Sequence, residues 1–508
     1  SILALCLTFF IDPQGSATLL GSMRSFLGEE FGWYYLILGL GIFLATLYMA
    51  FSRFGGIRLG GSRPQYSAFR WGAMMFTAGL AADILFYSLG EWMIYATEPH
   101  VLSMGEMQDW ASAYPLFHWG PVPWAFYMAL SVAFAFMIHV RKRSKQKYSE
   151  ACRPLLGRHT DGLAGRLIDL IAVFALIAGT ATTFSVSAPL LAEAVSTVLR
   201  VPNTTALTIA ILIVICLLYT ICAWFGISGV SWMAASCSWL FFALLAFVLF
   251  AGGMPRYILE TGLGAIGTVA QNFISLCTYT DPLRTNSFPQ NWTIFYWAYW
   301  MVWCVATPFF IGSISRGRTV RELVLGGYFF GLTGTWTSFI ILGNYGLGLQ
   351  MFGKLDLLSI YTTGSNLYAA VIAMLETLPL YRLVLILLSL TMIAFYATSF
   401  DSIAIVASDY SYKEMQENEE PDRRVKLFWS ILLILLPIAL LFSESSMANL
   451  QTVSIIAAFP VGLIMLVIIA SFFKDAERYL REERAKAPAP QCNETGEGEK
   501  KAKQEVHA

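Results

Sequence analysis

The strongest constraint on this chain is a recurrence. Apolar stretches long enough to cross a bilayer as helices appear at about 32–52, 69–96, 112–140, 166–197, 205–225, 230–252, 292–314, 320–347, 380–408, 425–443 and 449–473. A shorter apolar run, Ile2 to Ile11, has about half the length needed to span. It reads as the stub of a longer helix or as a chain whose start is missing, and the lack of a basic segment before it argues against a cleaved signal. With the stub the chain makes about twelve spans. Composition agrees: 57% of the 508 residues are apolar and 13% charged, against roughly 25% charged in an ordinary globular protein. The expected class is an all-α polytopic membrane protein, with the lipid bilayer as its first partner.

Loop charges orient the spans. Arg53, Arg58, Arg63 and Arg70 lie in one loop, Arg141, Lys142, Arg143, Lys145 and Lys147 in another, Arg316, Arg318 and Arg321 in a third, and Arg423, Arg424 and Lys426 in a fourth. Loops on the other side carry Glu29, Glu30, Glu98, Glu106 and Asp109. Every second loop is basic, so both termini are expected on the cytoplasmic side of a cell membrane. Residues 253–291, interrupted by Pro255, Asp281, Pro282 and Pro289, are too polar to span and are expected to hold an amphipathic helix along the outer surface. A similar short helix is expected at 365–378. The tail beyond Lys474 mixes acidic and basic residues and should fray after one helix.

Several function classes fall away. A formal net charge of zero gives no reason to expect nucleic acid or an acidic partner. The eight Cys lie mostly inside apolar segments without CxxC pairs, and there are only five His, so neither a metal site nor a disulfide frame is expected. No cofactor is implied. A membrane-embedded enzyme would need a nucleophile with its base, or metal ligands at depth. A channel would need a continuous polar pore, and the polar residues gather instead near three span midpoints.

The most unusual span is Trp292 to Arg321, with Trp at 292, 297, 300 and 303 and Tyr at 296 and 299. At about 100° per residue, Tyr299, Trp303, Tyr296, Thr307 and Trp300 fall within an arc of about 100°. The competing interpretation is an aromatic belt at the lipid boundary, but a belt clusters at one depth and these rings climb from the segment's start to its middle. An aromatic wall at depth suits a cation that has no N–H to donate, such as a quaternary ammonium.

Three other stretches stand out. In M-M-F-T-A-G-L-A-A-D-I-L-F-Y-S, Gly79 and its small neighbours sit near mid-span, followed by Asp83. Small residues suit close helix packing, and they also allow the local unwinding by which transporters present backbone to a substrate or ion. A carboxylate at mid-bilayer costs about 2.5–3.5 kcal/mol on insertion scales, which singles out Asp83 as a candidate proton carrier; a structural hydrogen-bonding Asp is the alternative. The segment F-H-W-G-P-V-P-W places Trp119 and Trp124 around Pro121 and Pro123, which are tolerated near a helix start. In F-Y-A-T-S-F-D-S, Thr398, Ser399, Asp401 and Ser402 share about one helical turn. Hydroxyls in helices often bond their own backbone, but beside a carboxylate they could also hold Na⁺ or join a proton relay.

Together these motifs resemble the betaine/carnitine/choline transporter family. The resemblance rests on F-H-W-G-P-V-P-W-A (117–125), Y-T-D-P (279–282), F-P-Q-N-W-T-I-F-Y-W-A-Y-W (288–300), I-S-R-G-R-T-V-R-E-L (314–323) and F-F-K-D-A (472–476), and the overall pattern is most similar to carnitine/γ-butyrobetaine exchangers. It implies a LeuT-type fold with inverted five-helix repeats at about 69–252 and 292–473, preceded by an extra region 1–68, joined through 253–291 and followed by a tail at 474–508. It also implies a homotrimer in the cell inner membrane. By resemblance, Trp300, Trp303 and Trp119 match aromatics that contact ligand, with Tyr299 standing where the family usually has Trp. Tyr296, Thr307 and Trp124 are further candidates. Ile94 stands where the exchangers use Tyr, and Trp92 or Tyr95 is the candidate to complete that wall.

The coupling positions depart from the exchangers. Cys237 matches a position where they carry an Arg that stands in for a cation, and Thr307 matches a Met. Thr398 and Ser399 look like the second sodium site of sodium-coupled members. Asp83 is similar to the Asp of proton-coupled choline carriers. The expected function is therefore secondary transport of a small trimethylammonium compound, such as glycine betaine, carnitine or choline, by proton symport through Asp83. Sodium symport and ion-independent exchange are the alternatives; a transporter-derived sensor is a further one, which the short charge-balanced tail does not support.

Overall fold

The computed structural model describes residues 13–486 apart from 144, 226, 365, 413–420 and 443–446, together with most of the side chains in that range. The stub Ile2 to Ile11 and the tail beyond Lys486 lie outside the described residues. Among the described residues the chain is helical throughout, with no strand and a single isolated antiparallel bridge between Arg58 and Thr319.

Five described helices are long and apolar enough to cross a membrane: Gly32–Phe51, Met107–Val140, Leu163–Leu199, Val320–Met351 and Thr452–Lys486. Three bent pairs pass the same test if each is one span, bringing the number to 8. The shorter apolar helices Thr205–Leu218 and Tyr381–Ala397 fall among the other expected spans.

Two of the bent pairs build the centre. Ala68–Ala78 (α1) and Ala82–Thr97 (α2) meet at 64°. The break falls where small residues were expected to allow unwinding: Gly79 ends α1, the Leu80 N–H reaches back to Thr77 O at 3.0 Å, and the extended Ala81 restarts the chain. Gly79 is required by a close approach, because a Cβ there would lie 2.5 Å from the Trp124 ring. After Met107–His118 (α3), Gly120 breaks the helix again and Pro121 opens Pro121–Ala135 (α4), where its missing N–H costs nothing. Trp124 on α4 is wedged from the other side by Gly331, whose added Cβ would also lie 2.5 Å from the same ring, and its Nε1 donates to Thr335 Oγ1 at 3.2 Å.

Leu163–Leu199 (α5) crosses the molecule as one 37-residue helix. Pro255–Thr278 (α6) turns 112° from the apolar helix before it. It buries Ile258, Gly262, Ala265 and Val269 while leaving Leu259, Leu263 and Ile274 exposed, the amphipathic surface helix expected in 253–291. The second bent pair at the centre follows. A π-turn at Pro289–Thr293 runs into Ile294–Trp303 (α7), which breaks at Cys304–Ala306 and resumes as Thr307–Ile314 (α8) at 55°. Pro308 in the first turn of α8 stops the helix from running through. The carbonyl of Cys304 freed by the break accepts from Tyr148 OH at 2.7 Å. Val320–Ser338 (α9) carries Gly331, and the expected short helix at 365–378 is present as Leu367–Glu376. Tyr381–Asp409 (α10) and Met447–Lys486 (α11) complete the helices that matter to the site.

The specific I-S-R-G-R-T-V-R-E run is an anchor on the basic face. Its backbone pairs with residues 57–65 through Leu59 N to Arg318 O, Gly317 N to Leu59 O and Val320 N to Ile57 O, all within 2.9 Å. Thr319 and Glu322 close a capping box at the start of α9, and the Arg318 guanidinium lies 4.1 Å over the Trp71 ring. On the same face Asp475 of α11 holds Arg141 and Arg143 at 3.0 and 2.9 Å, while Glu482 takes Arg141 at 2.8 Å.

Candidate functional site

Where the two breaks face each other there is a cavity of about 490 Å³. The α1–α2 break brings Gly79 and Asp83 to it, the α7–α8 pair brings Tyr299, Trp300, Trp303 and Thr307, and Trp119, Tyr127, Cys237 and Ser399 come from four other segments. Of the arc read from the sequence, Tyr299, Trp300, Trp303 and Thr307 line the cavity, whereas Tyr296 does not and Thr307 lies past the break on α8. Trp119 stands edge-on to Trp300 with ring centres 5.7 Å apart, and Tyr127 closes on Trp300 at 4.7 Å. Rings at such angles offer faces to a ligand between them.

The polar atoms are few. Tyr299 OH donates to Asp83 Oδ2 and meets Thr183 Oγ1 of α5. Asp83 Oδ1 and the indole Nε1 of Trp300 and of Trp303 have no partner within the protein. A buried polar atom without a partner is costly, so these three atoms await a ligand, an ion or water. No Lys or Arg is among the lining residues. Among the described residues no cluster of His, Cys, Asp and Glu is suited to a metal.

The cavity is one-sided. It continues past Ser313 and Asp409 to Gln146, beside the basic loops. Toward the acidic loops it ends at Trp119, behind which Tyr87 and Tyr296 pack 5.2 and 5.7 Å from the indole. Deeper in that direction lies a wholly buried group comprising Glu91, Tyr95 and His118. Trp292 beyond it donates to Glu98 at 2.6 Å. Burial pushes the Glu98 carboxyl above its usual range, with the indole N–H working in the opposite direction.

Of the residues singled out in the sequence, Asp83, Gly79, Trp119, Tyr299, Trp300, Trp303, Thr307 and Ser399 are gathered around the cavity. Tyr296 and Tyr95 lie behind Trp119 in the closed half. Trp124 sits between Gly79 and Gly331, its ring 5.8 Å from Trp300. Ile94 is buried, and Trp92 packs against Gly346. The side chains of Thr398 and Asp401 lie outside the described residues.

Sequence reasoning passed over Glu91, Tyr127 and Thr183. Glu91 had a readable signal: it is a second carboxylate in the same apolar segment as Asp83. Thr183 had none, since a Thr in a long apolar helix bonds its own backbone as readily as a neighbour.

The family described as BCCT, betaine/carnitine/choline family transporter, matches residues 1–481. The uncharacterized transporter YeaV of Escherichia coli (strain K12) is 30% identical over 460 residues, covering 90% of this chain and 93% of that protein. A carnitine transporter of Acinetobacter baumannii is 26% identical over 460 residues, covering 89% and 83%. Among solved structures, the substrate-bound outward-open state of a Na⁺-coupled sialic acid symporter covers 89% of this chain and 86% of its own at 13% identity and a TM-score of 0.40.

Proposed function

The chain belongs to the betaine/carnitine/choline family of secondary transporters, and from that premise we propose that its central cavity carries a small trimethylammonium compound by proton-coupled symport. The observation that carries this reading is the pairing of an aromatic chamber with a buried carboxylate. Trp119, Tyr299, Trp300 and Trp303 offer ring faces to the onium group, each contributing about 0.5–2 kcal/mol according to how completely the group is desolvated. The unpartnered indole N–H groups of Trp300 and Trp303 are donors for the hydroxyl of choline or the carboxylate of glycine betaine or carnitine. Asp83, with one oxygen held by Tyr299 and the other free, takes the proton.

Cys237 lines the cavity, so the place where the exchangers resembled by this chain hold an Arg contributes no charge here. That favours an added coupling ion over exchange. Opening toward the basic loops supports an inward-facing state, with those loops and both termini in the cytoplasm. Return to the outward state would follow from movement of the two broken helices against the surrounding ones. A homotrimer in the cell inner membrane is proposed on family resemblance.

The test is uptake of labelled choline, glycine betaine and carnitine into proteoliposomes under an imposed pH gradient, with Na⁺ or K⁺ outside. Accumulation with the gradient and without Na⁺ is expected. Accumulation that requires Na⁺ would transfer the coupling role to the Ser399 region, and uptake seen only in preloaded vesicles would make the protein an exchanger.

A further inference from the structure

The closed half of the molecule contains hydrogen bonds that form a directed chain. Trp119 Nε1 donates to Glu91 Oε2 at 2.7 Å, and Tyr95 OH donates to Glu91 Oε1. The same Tyr95 oxygen meets His118 Nδ1 at 2.5 Å, and His118 Nε2 meets Thr293 Oγ1 at 2.9 Å. Glu91, Tyr95 and His118 are 0% exposed and Thr293 3%. Three helical segments are joined: α2 through Glu91 and Tyr95, α3 and its end through His118 and Trp119, and the π-turn before α7 through Thr293.

With Glu91 ionised, the donor inventory fixes the direction. An ionised carboxylate only accepts and an indole N–H only donates, so Tyr95 spends its proton on Glu91 and must accept from His118 Nδ1–H. With His118 neutral, its bare Nε2 accepts from the Thr293 hydroxyl. One added proton reverses the three links from Thr293 to Glu91 without moving a heavy atom, while Trp119 remains a donor. A proton binds His118 Nε2 and that nitrogen donates to Thr293. The Nδ1 proton passes to the Tyr95 oxygen, and the former Tyr95 proton passes to Glu91 Oε1. One N–H bond forms and one breaks, two O–H bonds form and one breaks, and the net gain is the single proton now on Glu91.

We propose that Thr293, His118, Tyr95 and Glu91 form a proton relay through the closed half, ending at Glu91 as a proton-binding site separate from Asp83. The groups that face Glu91 are Tyr87 and Tyr95 from α2, His118 from α3 and Tyr296 from α7. Among the described residues His118, with Nδ1 3.9 Å from Glu91 Oε1, is the only base within ion-pair distance. Asp83 lies two helical turns back on the same helix, roughly 12 Å away along the axis. The link to the cavity is Trp119. A charge-assisted hydrogen bond is about twice as strong as a neutral one, so the indole that walls the cavity is held firmly while Glu91 is ionised and loosely once it is protonated. The relay stands whichever compound fills the cavity and whatever Asp83 does.

The test reads the imidazole rather than transport. Protein labelled with ¹⁵N-histidine is reconstituted in liposomes and followed by solid-state NMR between pH 5 and pH 9, with His118→Asn used to assign the signal. The expected result is a His118 ring protonated at Nδ1 at the alkaline end and at Nε2 at the acid end. Glu91→Gln should fix the Nε2–H form at every pH, because the Gln amide donates to Tyr95 while its oxygen takes Trp119. Tyr95→Phe should abolish the switch, and Asp83→Asn should leave it in place. A His118 that keeps one tautomer across the range, or becomes doubly protonated while the Glu91→Gln protein behaves as the parent does, overturns the proposal.

Discussion

The hydroxyl of Tyr299 donates a hydrogen bond to the carboxylate of Asp83, tying the second half of one broken helix to the first half of the other. The proposed proton site and the helix that carries the aromatic wall are therefore in direct contact.

That contact separates binding from coupling. Asp83→Asn keeps the size of the side chain and its bond to Tyr299 but removes the exchangeable proton. Substrate-induced quenching of intrinsic Trp fluorescence is expected to survive with an affinity within a few-fold of the parent. Accumulation driven by a pH gradient in proteoliposomes is expected to vanish, and undiminished proton-driven uptake would remove Asp83 from the coupling role.

The ring faces should titrate in energy. Trp300→Leu preserves an apolar wall but loses the ring quadrupole together with the indole N–H, and the quadrupole alone should raise the Kd for the trimethylammonium ligand about 2- to 30-fold, the equivalent of about 0.5–2 kcal/mol. Isothermal titration with the ligand and with its uncharged tert-butyl isostere checks the cause. The isostere shares the lost N–H but not the lost quadrupole, so its affinity should change less.

On the basic face, Asp475 receives both Arg141 and Arg143 and is itself only 4% exposed. Asp475→Asn leaves two guanidinium groups without that charged partner and should lower stability by about 1.5–3 kcal/mol, the range for a hydrogen bond to a charged group. Thermal unfolding in detergent, followed by far-UV circular dichroism, measures it. The loss should be smaller at high salt, because screening already weakens the parent pair.

The loop after α6 should be acid-sensitive. Burial of Asp281 works against its charge, but the N–H groups of Asn286, Ser287 and Thr285 and the Thr285 hydroxyl outweigh it and hold the carboxyl well below the usual Asp value of 3.8. A depressed carboxyl stabilises the fold above that value and loses its contribution as pH falls through and below it. Hydrogen exchange at Thr285, Asn286 and Ser287 should thus accelerate as pH is lowered below about 4, relative to exchange in an unstructured peptide at the same pH. Asp281→Asn should show the faster exchange already at neutral pH.

The spans, the alternating basic loops and the break at Gly79 were legible because each depends on nearest neighbours in sequence: apolar length, loop charge, and a glycine among small residues. The inward face of Tyr299, Trp300 and Trp303 was legible for the same reason, since a helical period needs only one segment. What escaped depends on where helices meet. His118 reads as an isolated ring in an aromatic stretch until α2 and the turn before α7 bring Tyr95 and Thr293 to its two nitrogens. Tyr95 was placed with the ligand because it neighbours Ile94 in sequence, yet its hydroxyl is engaged by Glu91 and His118. Trp124 looked like one more aromatic near the box, and its wedged position depends on two glycines 252 residues apart in the chain, at 79 and 331.

That wedge couples three positions sterically. The indole of Trp124 sets the gap between the break at Gly79 and the helix bearing Gly331, so a methyl group added on either side is tolerated only when the ring between them shrinks. Gly79→Ala or Gly331→Ala alone should be poorly tolerated. Paired with Trp124→Phe, either should recover much of the loss, so a library that varies these sites together would find solutions invisible to single substitutions.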